Sequence, residues 1–203
     1  MKEISRWATA LSVAAMALLT SCSKDEETKA PAVTDAIGRY EGKMNYASKE
    51  KPEPLEAGNP DESPSVVVKC AVENGKVRFA DFPVAPLVAA VVGEEAAPGI
   101  VEKIGKVTYE MDYLPVLNDA KDLVLMTLTA APLEISFPAS PSPLSDEQTD
   151  VKVKVTVTAP RQAAYSIGDR TLTFELDADQ VQVGELPLEG FVPLRLEFAL
   201  AKK

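Results

Sequence analysis

The chain of 203 residues contains no histidine and a single tryptophan, Trp7. Without histidine there is no Ser-His or Cys-His nucleophile pair, no imidazole general base and no His-ligated zinc or iron site. Trp7 lies in a segment that we interpret below as a signal peptide, so the rest of the chain lacks the ring most suited to stacking on sugars. These absences exclude the histidine-dependent classes of hydrolase and metalloenzyme, and no cofactor is expected.

Cysteine is almost as scarce, with Cys22 and Cys70 as the two examples. If Cys22 carries a lipid, Cys70 has no partner in the chain, so no disulfide framework is expected. Cys70 shares the predicted inner face of a strand with Val66, Val68 and Val72. We therefore interpret it as a small core residue, in preference to a reactive thiol.

The N-terminus has the pattern of a signal peptide. Lys2 and Arg6 precede an apolar stretch over residues 7–19, which is shorter than the ~20 apolar residues of a spanning helix. It ends in Leu19-Thr20-Ser21-Cys22, which resembles a bacterial lipobox. The sequence predicts a signal peptide over residues 1–21 and lipidation of Cys22. The alternative is an ordinary secretory peptide in which Cys22 is incidental.

The residues after Cys22 predict a location. Ser23 is not the aspartate that resembles an inner-membrane retention signal, which favours the outer membrane. Lys24-Asp25-Glu26 resembles the surface-export signal of Bacteroidota lipoproteins, although a short charged run is also typical of a solvated tether. We expect residues 22–35 to be an acidic flexible tether and the protein to be exposed at the cell surface, with a periplasm-facing position as the alternative.

The net charge excludes some partners. Removing Lys2, Glu3 and Arg6 with the signal peptide leaves 19 Lys and Arg against 30 Asp and Glu, so the charge changes from −10 to −11. An acidic surface repels nucleic acid and anionic lipid headgroups. The expected attachment to the membrane is therefore through the N-terminal lipid alone.

Residues 36–203 are predicted to form a single all-β domain. About eight segments alternate apolar and polar residues with a period of two, which is typical of antiparallel strands with one buried face. The strongest is residues 65–82, where Asn74-Gly75 predicts a type I′ hairpin that pairs Glu73 with Lys76 and places Cys70 opposite Phe79. Residues 133–137 are expected to extend the strand at 123–128 beyond Pro132. The strands must close as a calycin-like barrel or as a two-sheet sandwich.

One segment departs from the strand pattern. Residues 83–104 carry apolar side chains at helical spacing, and they predict a short helical excursion packed against the sheet. Pro98 is expected at the start of a second short helix and Gly105 just after its end, with Glu94-Glu95 as the polar turn.

Four tyrosines are the candidate ligand-binding residues. Tyr40, Tyr46, Tyr109 and Tyr113 fall on the inward positions of two predicted strands. In a barrel with an incompletely filled interior they would line a pocket for one small apolar or amphipathic ligand. The alternative is core packing with the hydroxyl groups at the rim.

Acidic pairs offer the nearest approach to catalytic or metal chemistry. Glu110 and Asp112 project from the same strand face and could form half of a carboxylate pair for sugar hydrolysis, but the polar side of an exposed strand explains them with no further assumption. Asp177 and Asp179 have a spacing that Ca²⁺ could use, but the glycine and the distal glutamate of a calcium loop are missing. We expect a solvated turn there, with no catalytic residue and no metal site in the chain.

The first predicted strand carries a family resemblance. Residues 37–44 read Ile-Gly-Arg-Tyr-Glu-Gly-Lys-Met, and this Gly-x-Tyr-x-Gly strand after a short acidic tether resembles the lipocalin-like, or calycin-like, lipoproteins of Bacteroidota. The layout of lipobox, tether and all-β domain is similar to an uncharacterised family of Bacteroides-type lipoproteins. That resemblance implies a lipid-anchored β domain and carries no catalytic residues.

Three functions compete on the sequence alone. The first is a non-enzymatic, surface-anchored module that binds a small apolar ligand or a partner protein. The second is a structural or assembly subunit of fimbrillin-like type, with residues 191–201 as the strand donated between subunits. The third is a glycan-active enzyme that uses Glu110 and Asp112.

Overall fold

The computed structural model describes residues 30–49, 64–138 and 150–203. The predicted signal peptide, Cys22 and the first part of the predicted tether lie outside the described residues. The described chain belongs to one compact unit, Pro31–Lys203. Among the described residues, no helix has the length and apolar character that crossing a membrane would require.

The described part of the unit is all β apart from one 3-10 helix, Val33–Ala36, and two short α-helices. The helices are α1 (Ala85–Val92) and α2 (Ala97–Ile104). The strands are β1 (Gly38–Ser48), β2 (Ser65–Glu73), β3 (Lys76–Phe79), β4 (Tyr109–Leu117), β5 (Leu123–Ala130), β6 (Leu133–Pro138), β7 (Asp150–Thr158), β8 (Ala163–Ser166), β9 (Thr171–Val183), β10 (Leu186–Pro187) and β11 (Leu194–Lys202).

Eight strands close into an antiparallel barrel in the order β1-β2-β3-β4-β5-β8-β9-β11, and β11 returns to β1. The prediction of an all-β, calycin-like fold is confirmed, and the structure selects the barrel over the sandwich. Because β11 pairs with β1 on one edge and β9 on the other, the segment that we considered as a donated strand is already used within the chain.

Close approach of β1 and β11 explains a glycine of the Gly-x-Tyr-x-Gly strand. A Cβ atom added to Gly42 would lie 2.1 Å from the carbonyl oxygen of Ala199 and 2.8 Å from the Cα atom of Leu200. Both are backbone atoms, so no side-chain rotation could relieve the overlap. Glycine is therefore required at position 42, where the backbones of β1 and β11 approach closely.

The ladder between β2 and β3 is short. The hairpin has the predicted register, with Glu73 opposite Lys76 and Val72 opposite Val77. The ladder ends at the pair of Ala71 with Arg78, however, so the predicted pairing of Cys70 with Phe79 is wrong. Beyond this point β2 continues to Ser65 with β1 as its only neighbouring strand among the described residues.

A small sheet extends from one side of the barrel. The long strand β9 belongs to both the barrel and this sheet. Its first part pairs with β11 in the barrel, and its last part, up to Val183, pairs with β7 in the extension. β7 in turn pairs with β6, and a register shift between Thr156 and Val157 marks the bend. The expectation that residues 133–137 extend β5 is wrong. β5 ends at Ala130, and after Pro132 the separate strand β6 pairs with β7 in the sheet extension.

The two helices form the predicted excursion between β3 and β4. Pro98 lies in the first turn of α2, and Gly105 follows its last residue with φ of 68°, a left-handed conformation that glycine adopts easily. Glu94 and Glu95 lie in the intervening turn, as expected. Because α2 contacts β6, the helices cover one face of the extension.

Buried groups close both ends of the barrel. At the end where β1 begins, the 3-10 helix contacts β4 and β5, and its Ala36 is fully buried. The last residues of the predicted tether, 33–35, belong to this helix. At the opposite end, the ring of Phe82 packs against the rings of Phe79 and Tyr109 at centroid distances of 5.2 and 5.1 Å. The barrel is therefore plugged by its own side chains.

Candidate functional site

The four predicted tyrosines do not form one pocket. Tyr40, Tyr109 and Tyr113 are buried in the barrel, whereas Tyr46 is half-buried at its edge. Tyr40 and Tyr109 line an open groove on the barrel wall, and neither Tyr46 nor Tyr113 is among the lining residues of that groove. The structure thus brings two of the four residues to a common cavity.

The hydroxyl groups of the buried tyrosines are used by the fold. Each donates a hydrogen bond to a backbone carbonyl oxygen: Tyr40 to Ala36 at 2.6 Å, Tyr109 to Ala131 at 2.7 Å and Tyr113 to Glu73 at 2.7 Å. Burial raises the pKa of all three phenols, so they stay protonated as donors. This geometry matches the core-packing alternative.

An aliphatic cleft lies beside the barrel, between the helices and the sheet extension. Its volume is about 190 Å³. Its lining consists of Leu87, Val88, Val91 and Val92 of α1, Ile100 and Ile104 of α2, Ile135 of β6, Val153 and Val155 of β7, and Val181 and Val183 of β9. We call this feature the aliphatic cleft.

The floor of the aliphatic cleft follows from the register of the extension. Val153 lies opposite Ile135 on one side and Val183 on the other, and Val155 lies opposite Val181. Alternation places these side chains on the same face, so two rows of branched aliphatic groups cross the three strands. The helices supply the roof. Because valine side chains are short, the space between roof and floor is not filled.

Exposure differs between the base and the mouth of the cleft. Val155 and Val181 are buried at the base, whereas Val183 is 37 % exposed and Val92 40 % exposed at the mouth. No lining side chain carries a charge or a hydrogen-bonding group. Such a site offers no acid, base or nucleophile, and its favourable interaction is with apolar surface.

The candidate carboxylate pair for glycan hydrolysis lies outside the aliphatic cleft, and basic side chains neutralise its charge. Glu110 and Asp112 project from the outer face of β4 and are exposed. Nζ of Lys76 is 3.3 Å from a Glu110 oxygen and 3.1 Å from an Asp112 oxygen, and Nε of Arg78 is 2.9 Å from Glu110. This arrangement is a surface network of ion pairs, and of the two carboxylates only Glu110 lines the groove that Tyr40 and Tyr109 line.

Asp177 and Asp179 were expected in a solvated turn, and that expectation is wrong. Both lie within β9, where it passes from the barrel to the extension. Nζ of Lys49 is 2.9 Å from an Asp177 oxygen and 2.8 Å from an Asp179 oxygen. Arg195 Nε is 3.3 Å from Asp177, which is only 3 % exposed. We call these four residues the junction network.

The pKa values of Asp179 and Lys49 in the junction network are shifted by their ion pairs. Burial raises the pKa of Asp179, but hydrogen bonds from Lys49 and Thr158 and the charge of Lys49 outweigh it, so the net pKa is lowered. Hydrogen bonds to Asp177 and Asp179 raise the pKa of Lys49. The carboxylates are therefore occupied by cations of the protein. Within the described residues, no group of three or more His, Cys, Asp or Glu side chains is arranged to hold a metal ion.

Cys70 has the properties of a core residue. Its side chain is buried between the strands, and burial raises the pKa of its thiol to about 12. The thiolate form is therefore scarce at neutral pH, which makes the residue a poor nucleophile.

Sequence reasoning missed the aliphatic cleft, although it found both of its halves. The helical spacing of Leu87 and Val91 and the alternation of Val153 and Val155 were both visible. The helical segment and the valine strand meet in the cleft because β6 pairs with β7 and β7 pairs with the last part of β9. Local patterns carry no signal for that long-range arrangement.

A protein family matches most of the chain. The family described as "Domain of unknown function (DUF4840)" covers residues 35–183, which are 149 of the 203 residues. The match includes the helices and all the strands of the aliphatic cleft, and it ends before β11. No curated protein and no solved structure matches the chain. The chain belongs to the DUF4840 family.

Proposed function

We propose that this protein is a lipid-anchored, non-enzymatic binding module whose β domain holds a small apolar ligand in the aliphatic cleft. The observation that carries the proposal is the lining of the cleft, which consists of leucine, valine and isoleucine side chains alone. Burial of apolar ligand surface is the interaction that such a lining favours. The tyrosine pocket that the sequence suggested is less well supported, because the tyrosine hydroxyls bind backbone carbonyls.

The volume of the cleft limits the size of the ligand. An apolar cavity of ~150 Å³ accommodates benzene. By proportion, the 190 Å³ cleft suits a straight alkyl chain of roughly seven or eight carbon atoms. A longer chain would extend through the mouth past Val92 and Val183, where its polar end would meet water.

The location in our proposal rests on the N-terminal sequence. Leu19-Thr20-Ser21-Cys22 supports lipidation of Cys22, and Ser23 with Lys24-Asp25-Glu26 supports the outer membrane and its external face. Two or three acyl chains anchor a protein stably, because each buried CH₂ contributes about 0.8 kcal/mol. We further propose that the lineage is Bacteroidota, on the resemblance of residues 37–44.

Ligand binding is tested with a homologous series of 1-alkanols, from butanol to decanol, titrated by calorimetry. Each added CH₂ should strengthen binding by up to about fourfold, which corresponds to about 0.8 kcal/mol, until the cleft is filled. Affinity should then level off near seven or eight carbons. An affinity that rises without limit would indicate nonspecific adsorption and would contradict a bounded site.

A variant that fills the cleft provides the matched comparison. Val153→Phe places a larger side chain at the half-exposed mouth and should weaken octanol binding at least tenfold. Val116→Phe makes the same change on the outer face of β4, where Val116 is 59 % exposed, and should leave binding unchanged. Equal affinities in both variants would place the ligand elsewhere or leave the cleft as a contact for a partner protein.

Anchoring is tested separately by membrane fractionation of the full chain. Cys22→Ser should move the protein from the membrane to the soluble fraction, whereas Cys70→Ser should stay with the membrane. Protease treatment of intact cells then separates surface exposure from a periplasm-facing position. Membrane attachment that survives Cys22→Ser would overturn the lipoprotein proposal.

A further inference from the structure

The early end of the β2–β3 ladder leaves half of β2 with a free edge. β2 pairs with β1 from Ser65 to Val72, but with β3 only from Ala71 to Glu73. Over residues 65–70, therefore, one edge of the strand has no strand neighbour in the described part of the chain. Unpaired strand edges are templates for another extended chain.

The register shows which backbone groups point along that edge. In an antiparallel pair, successive residues direct their N–H and C=O groups to opposite sides. The carbonyl oxygen of Pro64 accepts a bond from the Tyr46 N–H on the β1 side. Val67 and Lys69, which differ from Pro64 in parity, therefore direct their backbone groups away from β1. Neither has a backbone partner on that side among the described residues.

A groove of about 620 Å³ lies next to this edge. Its lining includes Tyr40, Cys70, Phe79 and Tyr109, together with Ala80 and Thr108. The first four of these side chains are buried and give the groove an apolar floor, beside the point where the ladder between β2 and β3 ends. A strand added along β2 would lie over this floor.

The charges around the groove are unlike those of the whole chain. Arg39 and Lys43 are exposed on the outer face of β1, and neither has an ion-pair partner in the part of the chain that the structure describes. The three acids that line the groove are paired with bases. Glu41 lies 3.9 Å from Lys69 and 3.4 Å from Lys203, and Arg78 lies 3.3 Å from Glu73 and 2.9 Å from Glu110. The groove lining therefore carries four basic side chains against three acidic ones, an excess of one base in a chain of net charge −10.

We propose that the free edge of β2 and the adjoining groove bind an extended acidic peptide, which adds to the barrel as a strand. Main-chain hydrogen bonds to Val67 and Lys69 would supply the attachment. Alternate side chains would point to the apolar floor and to the outer face, where Arg39 and Lys43 are exposed. The preferred sequence therefore alternates apolar and acidic residues. This surface shares no lining residue with the aliphatic cleft, so a negative result for one proposal leaves the other untouched.

The probe for this proposal is a fluorescein-labelled heptapeptide of alternating glutamate and valine, measured by fluorescence anisotropy. Two control peptides accompany it. In one, alternate backbone nitrogens are methylated, which removes hydrogen-bond donors. In the other, lysine replaces glutamate. The proposal expects each control to bind at least tenfold more weakly, and it expects binding of the acidic probe to weaken as salt increases.

The protein variant is Val67→Pro, which removes one donor from the free edge. Proline is tolerated on an edge whose N–H faces solvent, and Val67 is 67 % exposed, so the fold should persist. Probe binding should fall at least tenfold, whereas Val67→Ala should bind as the wild type does. If Val67→Pro fails to fold, the methylated peptide still tests the edge.

Three results would overturn the proposal. One is no binding of the acidic probe, and another is equal binding of the methylated peptide. The third is concentration-dependent dimerisation that Val67→Pro abolishes while the probe does not compete, because the edge would then serve a second copy of this chain.

Discussion

The barrel and the sheet extension share strand β9 but are packed differently. In the barrel, the rings of Phe174 and Phe198 stack at 4.4 Å between centroids with planes 9° apart, and further rings fill the space around them. In the extension, the same strand presents Val181 and Val183 to a cleft that stays open. The barrel core is therefore filled by aromatic rings, whereas the core of the extension leaves an open cleft.

The cause of this difference is the size of the side chains. Aromatic rings span the distance between facing strands and exclude solvent, and edge-to-face and stacked contacts between them add stability. Branched aliphatic residues are shorter, so two rows of them below a pair of short helices leave a gap. The comparison teaches that apolar alternation alone does not distinguish a filled core from a binding site.

The largest expected effect comes from emptying the barrel. Phe198→Ala should cost about 3–5 kcal/mol of the free energy of unfolding, because it leaves a cavity among rings that cannot collapse. Val181→Ala in the extension should cost only about 1–2 kcal/mol, since it enlarges a space that already exists. Denaturant unfolding of the two variants measures both values. Equal costs would break the distinction between the two regions.

The next effect is steric. Gly42→Ala should destabilise the protein by about 2–3 kcal/mol, because the new methyl group would overlap backbone atoms of β11. Gly99→Ala is the control, since a Cβ atom there meets nothing within 4 Å and the residue lies in α2. That control should be neutral or slightly stabilising. A thermal midpoint of Gly42→Ala equal to the wild type would contradict the tight wall.

A smaller effect concerns the junction network, which links the barrel to the extension. The pKa of Asp179 is lowered below its usual 3.8, so its stabilisation is present above pH 4 and is lost as the pH falls through the folded-state pKa. The contribution of this partly exposed ion pair is about 0.5 kcal/mol.

Thermal unfolding at pH 7, 4 and 3 checks this prediction. Asp179→Asn should lower the midpoint at pH 7 and reduce the loss of stability between pH 4 and pH 3. Asp119→Asn, at an exposed turn position, should follow the wild type. An acid sensitivity that Asp179→Asn leaves unchanged would assign the effect to other carboxylates.

The smallest expected effect is at the outer face of β4. Glu110→Gln and Asp112→Asn should each leave the thermal midpoint equal to that of the wild type, because the ion pairs with Lys76 are exposed. Neither change should alter octanol binding, since the aliphatic cleft does not include these residues.

Local chemistry made much of the fold predictable. Asn74-Gly75 set the hairpin and its register, and Pro98 with Gly105 set the limits of the second helix. Period-two alternation identified most of the strands. The short β8 and β10 were missed, because four and two residues carry too little pattern.

The arrangement of these elements was not predictable in the same way. Closure of the barrel by β9 and β11, the departure of β6 after Pro132 and the early end of the β2–β3 ladder depend on contacts between distant segments. The tyrosine hypothesis failed to foresee partners such as the Glu73 carbonyl, 40 residues from Tyr113. A candidate site formed by contacts between distant segments cannot be located until the three-dimensional structure is known.

Methyl-resolved NMR of the β domain titrated with 1-octanol tests our central claim most directly. We expect saturable shifts in the methyl groups of Val153, Val155, Val181 and Ile135, and none in Leu196 or Leu200 of the barrel interior. The same titration of Val153→Phe should produce no such shifts. Shifts confined to the barrel methyl groups, or none up to the solubility limit of octanol, would contradict the account.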